Sequence, residues 1–116
     1  MSRPDQINYL ELPSLNLAAS KAFFSQTFGW RFVDYGPDYL AFFDAGIEGG
    51  FYRSHQVATT EQGGTLVVLK SADLEQSLNA VQASGAVITK AIFSFPGGRR
   101  FQFLEPGGNE LAVWSE

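Results

Sequence analysis

The chain repeats one pattern twice, and this internal repeat restricts its fold more than any other feature. Residues 16–20 (Asn-Leu-Ala-Ala-Ser) are echoed 57 positions later by residues 73–77 (Asp-Leu-Glu-Gln-Ser). Residues 36–44 are echoed at an offset of 61 by residues 97–105, and each of these runs leads through a turn-rich stretch to one more strand. Self-similarity at a fixed spacing indicates two copies of one supersecondary unit.

Each copy is predicted to contain one strand, one helix and three further strands. Asn16 and Asp73 are suitable helix N-caps, because their side-chain oxygens can accept hydrogen bonds from free amides of the first turn. Each helix is expected to end at a glycine, Gly29 or Gly85. The glycine pairs, including 49/50, are predicted to lie in turns. The predicted strands cover residues 7–12, 30–35, 39–44, 51–54, 65–69, 87–92, 99–104 and 110–114.

The order of elements predicts an α+β fold of two tandem βαβββ modules within a single domain that covers residues 1–116. Module one covers about 7–54, a polar linker about 55–64, and module two about 65–116. Because a helix must cover one face of each sheet, the remaining faces are expected to form a cup-shaped, half-open mixed sheet with the helices on the outside. A pocket is expected inside this cup.

Composition excludes several classes of function. The net charge of −4 disfavours nucleic acid, whose binding depends on phosphate neutralisation by Lys and Arg. The absence of cysteine excludes disulfides, thiolate nucleophiles and Cys-based metal sites. No apolar run approaches the roughly 20 residues of a membrane span, and residues 1–6 lead directly into a strand rather than into a signal peptide. We therefore expect a cytoplasmic protein that binds neither nucleic acid nor membranes.

The sequence resembles the vicinal oxygen chelate superfamily, which includes glyoxalase I, extradiol dioxygenases, fosfomycin-resistance enzymes and bleomycin-binding proteins. Its segments are similar to the family patterns D-L-x-x-S-x-x-F-Y-x-x-x-L-G-W and D-P-x-G-N. The segments that carry this resemblance are residues 16–20, 23–24, 28–30, 73–75 and 105–111. The resemblance implies the paired-module fold, and from the bleomycin-type binders it implies a ligand groove at a homodimer interface.

The resemblance also implies where a metal would bind in family members that chelate one. The corresponding positions are Tyr9 and Leu66 on the first strands, and Phe51, give or take one residue, and Ala112 on the last strands. Leucine, phenylalanine and alanine offer no lone pair, whereas a divalent ion needs three or four N or O donors. We therefore expect a glyoxalase-like member without the usual metal ligands and without a cofactor, and hence neither glyoxalase I nor extradiol dioxygenase activity.

Glu11 is the candidate catalytic residue. Strand alternation places it on the same face as Tyr9, away from Leu10 and Leu12, so both side chains are expected in the cup. A carboxylate in an apolar pocket is typical of binding and catalytic sites. The alternative is a structural ion pair of Glu11 with Arg53 or Arg100.

The candidate ligand-binding face is aromatic with a few polar groups. Because Arg99 and Arg100 are adjacent on a strand, they point to opposite faces, and the phenylalanines at 101 and 103 accompany Arg99 into the core. The residues expected to line the cup are Tyr9, Glu11, Tyr39, Tyr52 or Arg53, Arg100, Gln102 and Trp114. Such a lining is typical of small-molecule sites, and the alternative is a second, filled core with polar rims. The single histidine, His55, is expected to be a solvated loop residue.

Two functions are compatible with these features. The first is metal-free binding of a small organic molecule in the cup by a homodimer. The second is a lyase or isomerase of the same superfamily that uses Glu11 as general base, with a Tyr or Arg as the electrophilic group. Whether the chain is an enzyme is left open by the sequence. We further expect Glu11 and Arg100 to lie close enough to interact directly or through one water.

Overall fold

The structure, a computed structural model, describes residues 3–116 and contains the predicted order of elements in both halves. The first half consists of β1 (Tyr9–Ser14), α1 (Leu17–Phe28), β2 (Arg31–Asp34), β3 (Tyr39–Phe43) and β4 (Glu48–Arg53). The second half consists of β5 (Val67–Lys70), α2 (Leu74–Ala83), β6 (Val87–Phe95), β7 (Gly98–Leu104) and β8 (Glu110–Ser115). Within the described residues, neither helix is long and apolar enough to span a bilayer.

The strands form two mixed sheets of four strands each. The first sheet has the order β1-β4-β3-β2 and the second has the equivalent order β5-β8-β7-β6. In each sheet the first strand of the module runs parallel to the last, and the other neighbours are antiparallel. The predicted α+β fold of two βαβββ modules is therefore confirmed.

The helix caps follow the predicted pattern. Asn16 accepts a hydrogen bond from the amide of Ala19 (3.0 Å), and Asp73 accepts one from the amide of Gln76 (3.1 Å). Helix α1 ends at Gly29, whose φ of 74° is the left-handed conformation that glycine adopts without strain. Local sequence signals were sufficient here because a cap needs only residues three or four positions apart.

The repeat extends to a hydrogen-bonded serine pair next to each cap, buried in the first module and partly buried in the second. Ser14 at the end of β1 hydrogen bonds to Ser20 in α1 at 2.8 Å between the hydroxyl oxygens. At the same offset of 57, Ser71 hydrogen bonds to Ser77 in α2 at 2.6 Å. Each pair connects the end of the module's first strand, β1 or β5, to the helix that follows it.

Both modules share one hydrophobic core. The Phe24 ring of α1 stacks on Trp30, with centroids 4.5 Å apart, and Phe51 of β4 lies 5.4 Å away. Phe23 of the same helix lies 5.7 Å from Phe103 of β7, so α1 contacts the covered face of the second sheet as well as its own. The fully buried aromatic side chains are Phe23, Phe24, Phe42, Phe51, Phe101 and Phe103. We call the sheet faces that do not pack on this core the open faces.

The prediction that Gly49 and Gly50 lie in a turn is wrong. Both belong to β4, which begins at Glu48 rather than at residue 51. A Cβ on Gly49 would collide with the carbonyl oxygen of Leu10, and one on Gly50 would collide with the hydroxyl of Tyr39. The two glycines are required by close approach of neighbouring strands rather than by backbone conformation.

Strand β6 is longer than predicted and extends to Phe95. Its pairing with β7 shifts register twice, between Ile88 and Lys90 and again between Lys90 and Phe93. Such shifts break the alternation on which a sequence-based assignment depends. Beyond the second shift, Phe93 pairs with Arg100 on β7, which brings an aromatic side chain to the open face of the second sheet.

Candidate functional site

The open face of the first sheet carries a cluster of Tyr9, Glu11 and Tyr39. Alternation in β1 sends Leu12 into the core and leaves Tyr9 and Glu11 exposed on the opposite face. Tyr39 reaches this pair from β3 by crossing over Gly50, the residue of β4 that lies in register with Glu11. Tyr39 can extend across β4, which lies between β1 and β3, because Gly50 has no side chain to block it.

In this tyrosine–glutamate cluster, the donor and acceptor of each hydrogen bond can be assigned. The Tyr39 hydroxyl donates to Oε2 of Glu11 at 2.8 Å, and the hydroxyl oxygens of Tyr9 and Tyr39 are 2.7 Å apart. Since Tyr39 uses its only proton on Glu11, Tyr9 must donate to Tyr39. Burial, together with the hydrogen bonds to Tyr9 and Glu11, raises the pKa of Tyr39 above its usual range. Tyr39 therefore remains a protonated donor to the Glu11 carboxylate.

Tyr52 and Arg53, adjacent on β4, lie on opposite faces. Tyr52 pairs with Tyr39 and is exposed on the open face. Arg53 donates instead to the carboxylate of Asp38 (2.8 Å) and the carbonyl of Pro37 (2.9 Å), on the side where α1 begins. The expectation that Arg53 lines the cup is therefore wrong, because alternation selects Tyr52 of the two.

The open face of the second sheet brings Arg100, Gln102 and Trp114 together. Arg100 donates to Oε1 of Gln102 at 3.2 Å and pairs in register with Trp114 on β8. Its guanidinium lies 5.2 Å from the Phe93 ring centroid and 5.7 Å from that of Phe95, within cation–π range. Next to this cluster lies a cavity of about 330 Å³, which is lined by Val68, Phe95, Pro96, Gly97, Arg100 and Trp114.

Glu110, which is not among the predicted site residues, extends this second cluster. Its carboxylate accepts hydrogen bonds from Gln102 (3.0 Å), from Thr89 (2.8 Å), and from the amide and hydroxyl of Thr60 in the linker. Burial would raise its pKa, but these hydrogen bonds outweigh burial and lower the pKa of Glu110 to about 2. Alternation from Trp114 through Ala112 would have placed Glu110 on the open face.

No direct contact between Glu11 and Arg100 is formed within the described chain. Glu11 is hydrogen-bonded to Tyr39, and Arg100 to Gln102, and no ion pair or hydrogen bond joins the two. Strand alternation predicted the face of each residue but contains no information on how two separate sheets are arranged. The two open faces therefore carry separate polar clusters.

The residues at the family's metal positions do not fit a divalent ion. Tyr9 is exposed in β1, Gly50 lies in β4 and Ala112 in β8, while Leu66 immediately precedes β5. Phe51, the alternative to Gly50, points into the core, where it is completely buried. Of the positions that the resemblance assigns to a metal, only Tyr9 carries a side-chain donor, whereas Leu66, Ala112 and either Gly50 or Phe51 carry none, so the required three or four donors are not provided. Among residues 3–116 no group of three His, Cys, Asp or Glu side chains has the geometry of a metal site.

His55 lies in the linker, away from both clusters. It borders a cavity with Gln56, Val57 and residues 62–64. It makes no hydrogen bond or ion pair within the described chain and is exposed to solvent. This position agrees with the expectation of a solvated loop residue.

Known structures share this fold at low sequence identity. A glyoxalase/bleomycin resistance protein/dioxygenase family enzyme from Burkholderia phytofirmans has a TM-score of 0.78 at 16% identity, covering 93% of this chain and 96% of its own. The genomically encoded fosfomycin resistance protein from Listeria monocytogenes has a TM-score of 0.80 at 13% identity, covering 98% and 95%. An antibiotic-binding protein from a Streptomyces species has a TM-score of 0.71 at 15% identity, covering 99% and 98%.

Sequence comparison assigns the family directly. No curated protein matches this chain. The family model of the Glyoxalase/Bleomycin resistance protein/Dioxygenase superfamily, however, matches residues 6–113, which is nearly the whole chain. The chain belongs to the glyoxalase/bleomycin resistance protein/dioxygenase superfamily.

Proposed function

We propose that this protein binds a small organic molecule on its open sheet faces without a metal ion. The observation that carries the proposal is the cavity of about 330 Å³ on the second sheet, which has aromatic and aliphatic walls and one guanidinium. Small-molecule sites have this composition, in which apolar walls provide most of the contact area and a few polar groups fix the orientation. A location in the cytoplasm is part of the proposal, because a chain without cysteine suits a reducing compartment.

Two of the structural relatives favour ligand binding over a purely structural role. One is described as an antibiotic-binding protein and the other as a fosfomycin resistance protein. Both descriptions concern small organic molecules on the same fold. At their low identities they support the class of ligand and do not identify the compound.

We propose that two copies of the chain combine to complete the site. Large apolar side chains remain exposed in the open faces, with Tyr9 at 47%, Tyr52 at 41% and Val68 at 43% of their maximum accessibility. Edge strands β1, β2, β5 and β6 are also uncovered on one side, and such edges are generally paired or covered. A homodimer would cover these surfaces and bring the cluster of one sheet opposite the cluster of another.

A cavity-filling variant tests the binding proposal. A library of small organic molecules is screened for compounds that raise the melting temperature, because a ligand that binds only the folded state stabilises it. Val68→Trp would fill the cavity, and Val87→Trp places the same side chain at an exposed position on β6. We expect stabilisation by the active compounds to be lost in the first variant and kept in the second. Equal responses of both variants would refute this location.

A second candidate function is a lyase or isomerase reaction with Glu11 as general base. The observation that favours it is the chain of hydrogen bonds from Tyr9 through Tyr39 to Glu11, which holds the carboxylate at an exposed position. Glu11→Gln should then abolish turnover of an identified substrate while leaving its binding intact, because the amide keeps the shape but cannot accept a proton. Turnover that survives this substitution would exclude Glu11 as the base.

A further inference from the structure

We propose that the cavity on the second sheet takes an aromatic carboxylate, whose carboxylate binds Arg100 and whose ring lies against Phe95 and Trp114. This inference rests on the proposed small-molecule binding and specifies the chemical class of the ligand. Four features of the cavity support it: charge, donor orientation, wall composition and size.

The charge of Arg100 is not balanced by any acidic side chain of the described chain. Five other basic side chains form ion pairs, among them Arg99, the neighbour of Arg100, which contacts Glu75 at 2.8 Å. Arg100 forms none, although the chain has 12 acidic and only 8 basic residues besides its single histidine. An unpaired arginine at a cavity in an acidic protein indicates a site for an anion supplied from outside.

Most of the donors of Arg100 have no acceptor. A guanidinium has five N–H groups in a fixed planar arrangement. The only acceptor of Arg100 within the described chain is Oε1 of Gln102, and its buried Nε has no hydrogen-bond partner. An incoming carboxylate that accepts hydrogen bonds from the free N–H groups of this guanidinium gains affinity, because charge-assisted hydrogen bonds are about twice as strong as neutral ones.

Glu110 fixes the orientation of the Gln102 side-chain amide, which accepts a hydrogen bond from Arg100. As a carboxylate it can only accept, so the Gln102 side chain must direct its NH₂ group toward Glu110. The amide oxygen of Gln102 is thereby turned toward Arg100. This arrangement holds one N–H of the guanidinium in place before a ligand arrives, which lowers the ordering cost of binding.

The walls of the cavity favour an aromatic ring next to the anion. Phe95 and Trp114 have ring centroids 6.2 Å apart, and Val68 and Pro96 complete an apolar lining. A volume of about 330 Å³ suits a molecule of one or two rings, at the lower end of the usual range for ligand pockets. A planar carboxylate matches the fork of one guanidinium, whereas a more highly charged phosphate needs more donors than the cavity offers.

A pair of probes of nearly the same shape, one with a carboxylate and one with a neutral amide, tests the inference. 2-Naphthoate and 2-naphthamide are titrated into the full chain at pH 7 and low salt, and the indole N–H signals of the two tryptophans are followed by NMR. Trp30, stacked in the core, serves as the internal control, and Trp30→Phe assigns its signal. We expect only the Trp114 signal to move, and naphthoate to bind at least about tenfold more tightly than naphthamide.

Matched variants test which arginine causes the preference for naphthoate over naphthamide. Arg100→Gln should reduce the preference for naphthoate to about one. Arg99→Gln, on the opposite face of the same strand, should keep the wild-type preference. Arg100→Lys keeps the charge but not the fork and should retain only part of the preference. Circular dichroism establishes that each variant is folded.

The outcomes separate this inference from the proposed function. Equal affinity of the two probes for the wild-type chain, with the Trp114 signal moving, would leave small-molecule binding intact and overturn the carboxylate site. A preference for naphthoate that persists in Arg100→Gln would place the anion elsewhere, for example at Lys90, and would also overturn it. No response of Trp114 to either probe would count against both proposals. If Arg100→Gln does not fold, the wild-type comparison and Arg100→Lys decide the question.

Discussion

Ser20 in the first module donates a hydrogen bond to Glu105 in the second, with 2.9 Å between the hydroxyl and carboxylate oxygens. The Glu105 carboxylate also accepts hydrogen bonds from the amide of Gly107 and from the side chain of Asn109. Asn109 in turn donates to the carbonyl of Pro13 at the end of β1. The turn between β7 and β8 therefore joins the two modules through a buried polar network.

Glu105→Gln should destabilise the protein by about 1 to 3 kcal/mol. The new NH₂ group would face donors, leaving at least one buried hydrogen bond unmade. Urea denaturation measures the change, with Glu61→Gln at an exposed linker position as the control for loss of one charge. Equal effects of the two substitutions would show that the network does not contribute to stability.

Acid should weaken the protein through Glu110. The pKa of this carboxyl is lowered from 4.5 to about 2 in the folded chain, so its stabilising contribution is complete above about pH 4.5 and is lost as the pH falls toward 2. The contribution is on the order of 3 kcal/mol. Unfolding free energies of wild type and Glu110→Gln at several pH values between 7 and 2.5 measure it. We expect the difference between them to shrink as the pH falls, and a constant difference would contradict the assignment.

Gly50→Ala should destabilise the chain, because the added methyl group collides with the Tyr39 hydroxyl and the Leu40 carbonyl oxygen. Truncation of the tyrosine in Gly50→Ala/Tyr39→Ala should recover part of the loss. Gly49→Ala collides mainly with the backbone of β1, so the same truncation should not rescue it. Thermal unfolding of both glycine variants, of Tyr39→Ala alone and of the two double variants gives the double-mutant comparison. Rescue of both glycine variants by Tyr39→Ala would disprove the specific contact.

The protein should be a homodimer at high micromolar concentration. Light scattering should give about twice the monomer mass of 12.7 kDa. Tyr52→Asp on the open face should shift the equilibrium toward monomer, because it places a charge in the covered surface. Tyr35→Asp, at a more exposed position outside the strands, should leave the dimer intact. A monomer mass for the wild type would refute the dimer proposal.

Purified, untagged protein should contain no stoichiometric divalent metal. Leu66, Ala112 and either Gly50 or Phe51 occupy positions where the resemblance places metal ligands, and none of them has a donor atom in its side chain. Elemental analysis after dialysis measures the content. Near-stoichiometric zinc, nickel, manganese or iron would show that other residues form a metal site.

Features that depend on nearby residues could be predicted from the sequence. The caps at Asn16 and Asp73 and the stop at Gly29 each involve residues within one helical turn. Alternation in the strands likewise placed Tyr9 and Glu11 on one face and Leu12 on the other. These signals were enough to derive the order of elements and the face on which Tyr9, Glu11, Arg100 and Gln102 lie.

Features that depend on distant contacts could not be predicted. The sequence wrongly predicts a turn at Gly49. A glycine is needed there because the backbone of Leu10, about 40 residues away in the chain, approaches closely. The Glu110 carboxylate accepts two of its hydrogen bonds from Thr60, which lies 50 residues away in a linker with no hydrophobic pattern. The arrangement of Glu11 relative to Arg100 depends on how two separate sheets are oriented, which side-chain periodicity does not encode.

The two serine pairs have unequal roles although they are built alike. Asp44 is the counterpart of Glu105 at the offset of 61, but it adopts a φ of 65° and contacts Arg31 rather than Ser77. Of the two pairs in the described chain, the Ser14–Ser20 pair alone therefore hydrogen bonds to an acidic side chain of the other module, Glu105. Replacement of Ser20 should disturb the contact between the halves, while replacement of Ser77 should disturb only its own loop. In this duplicated fold, mutational tolerance at equivalent positions will differ.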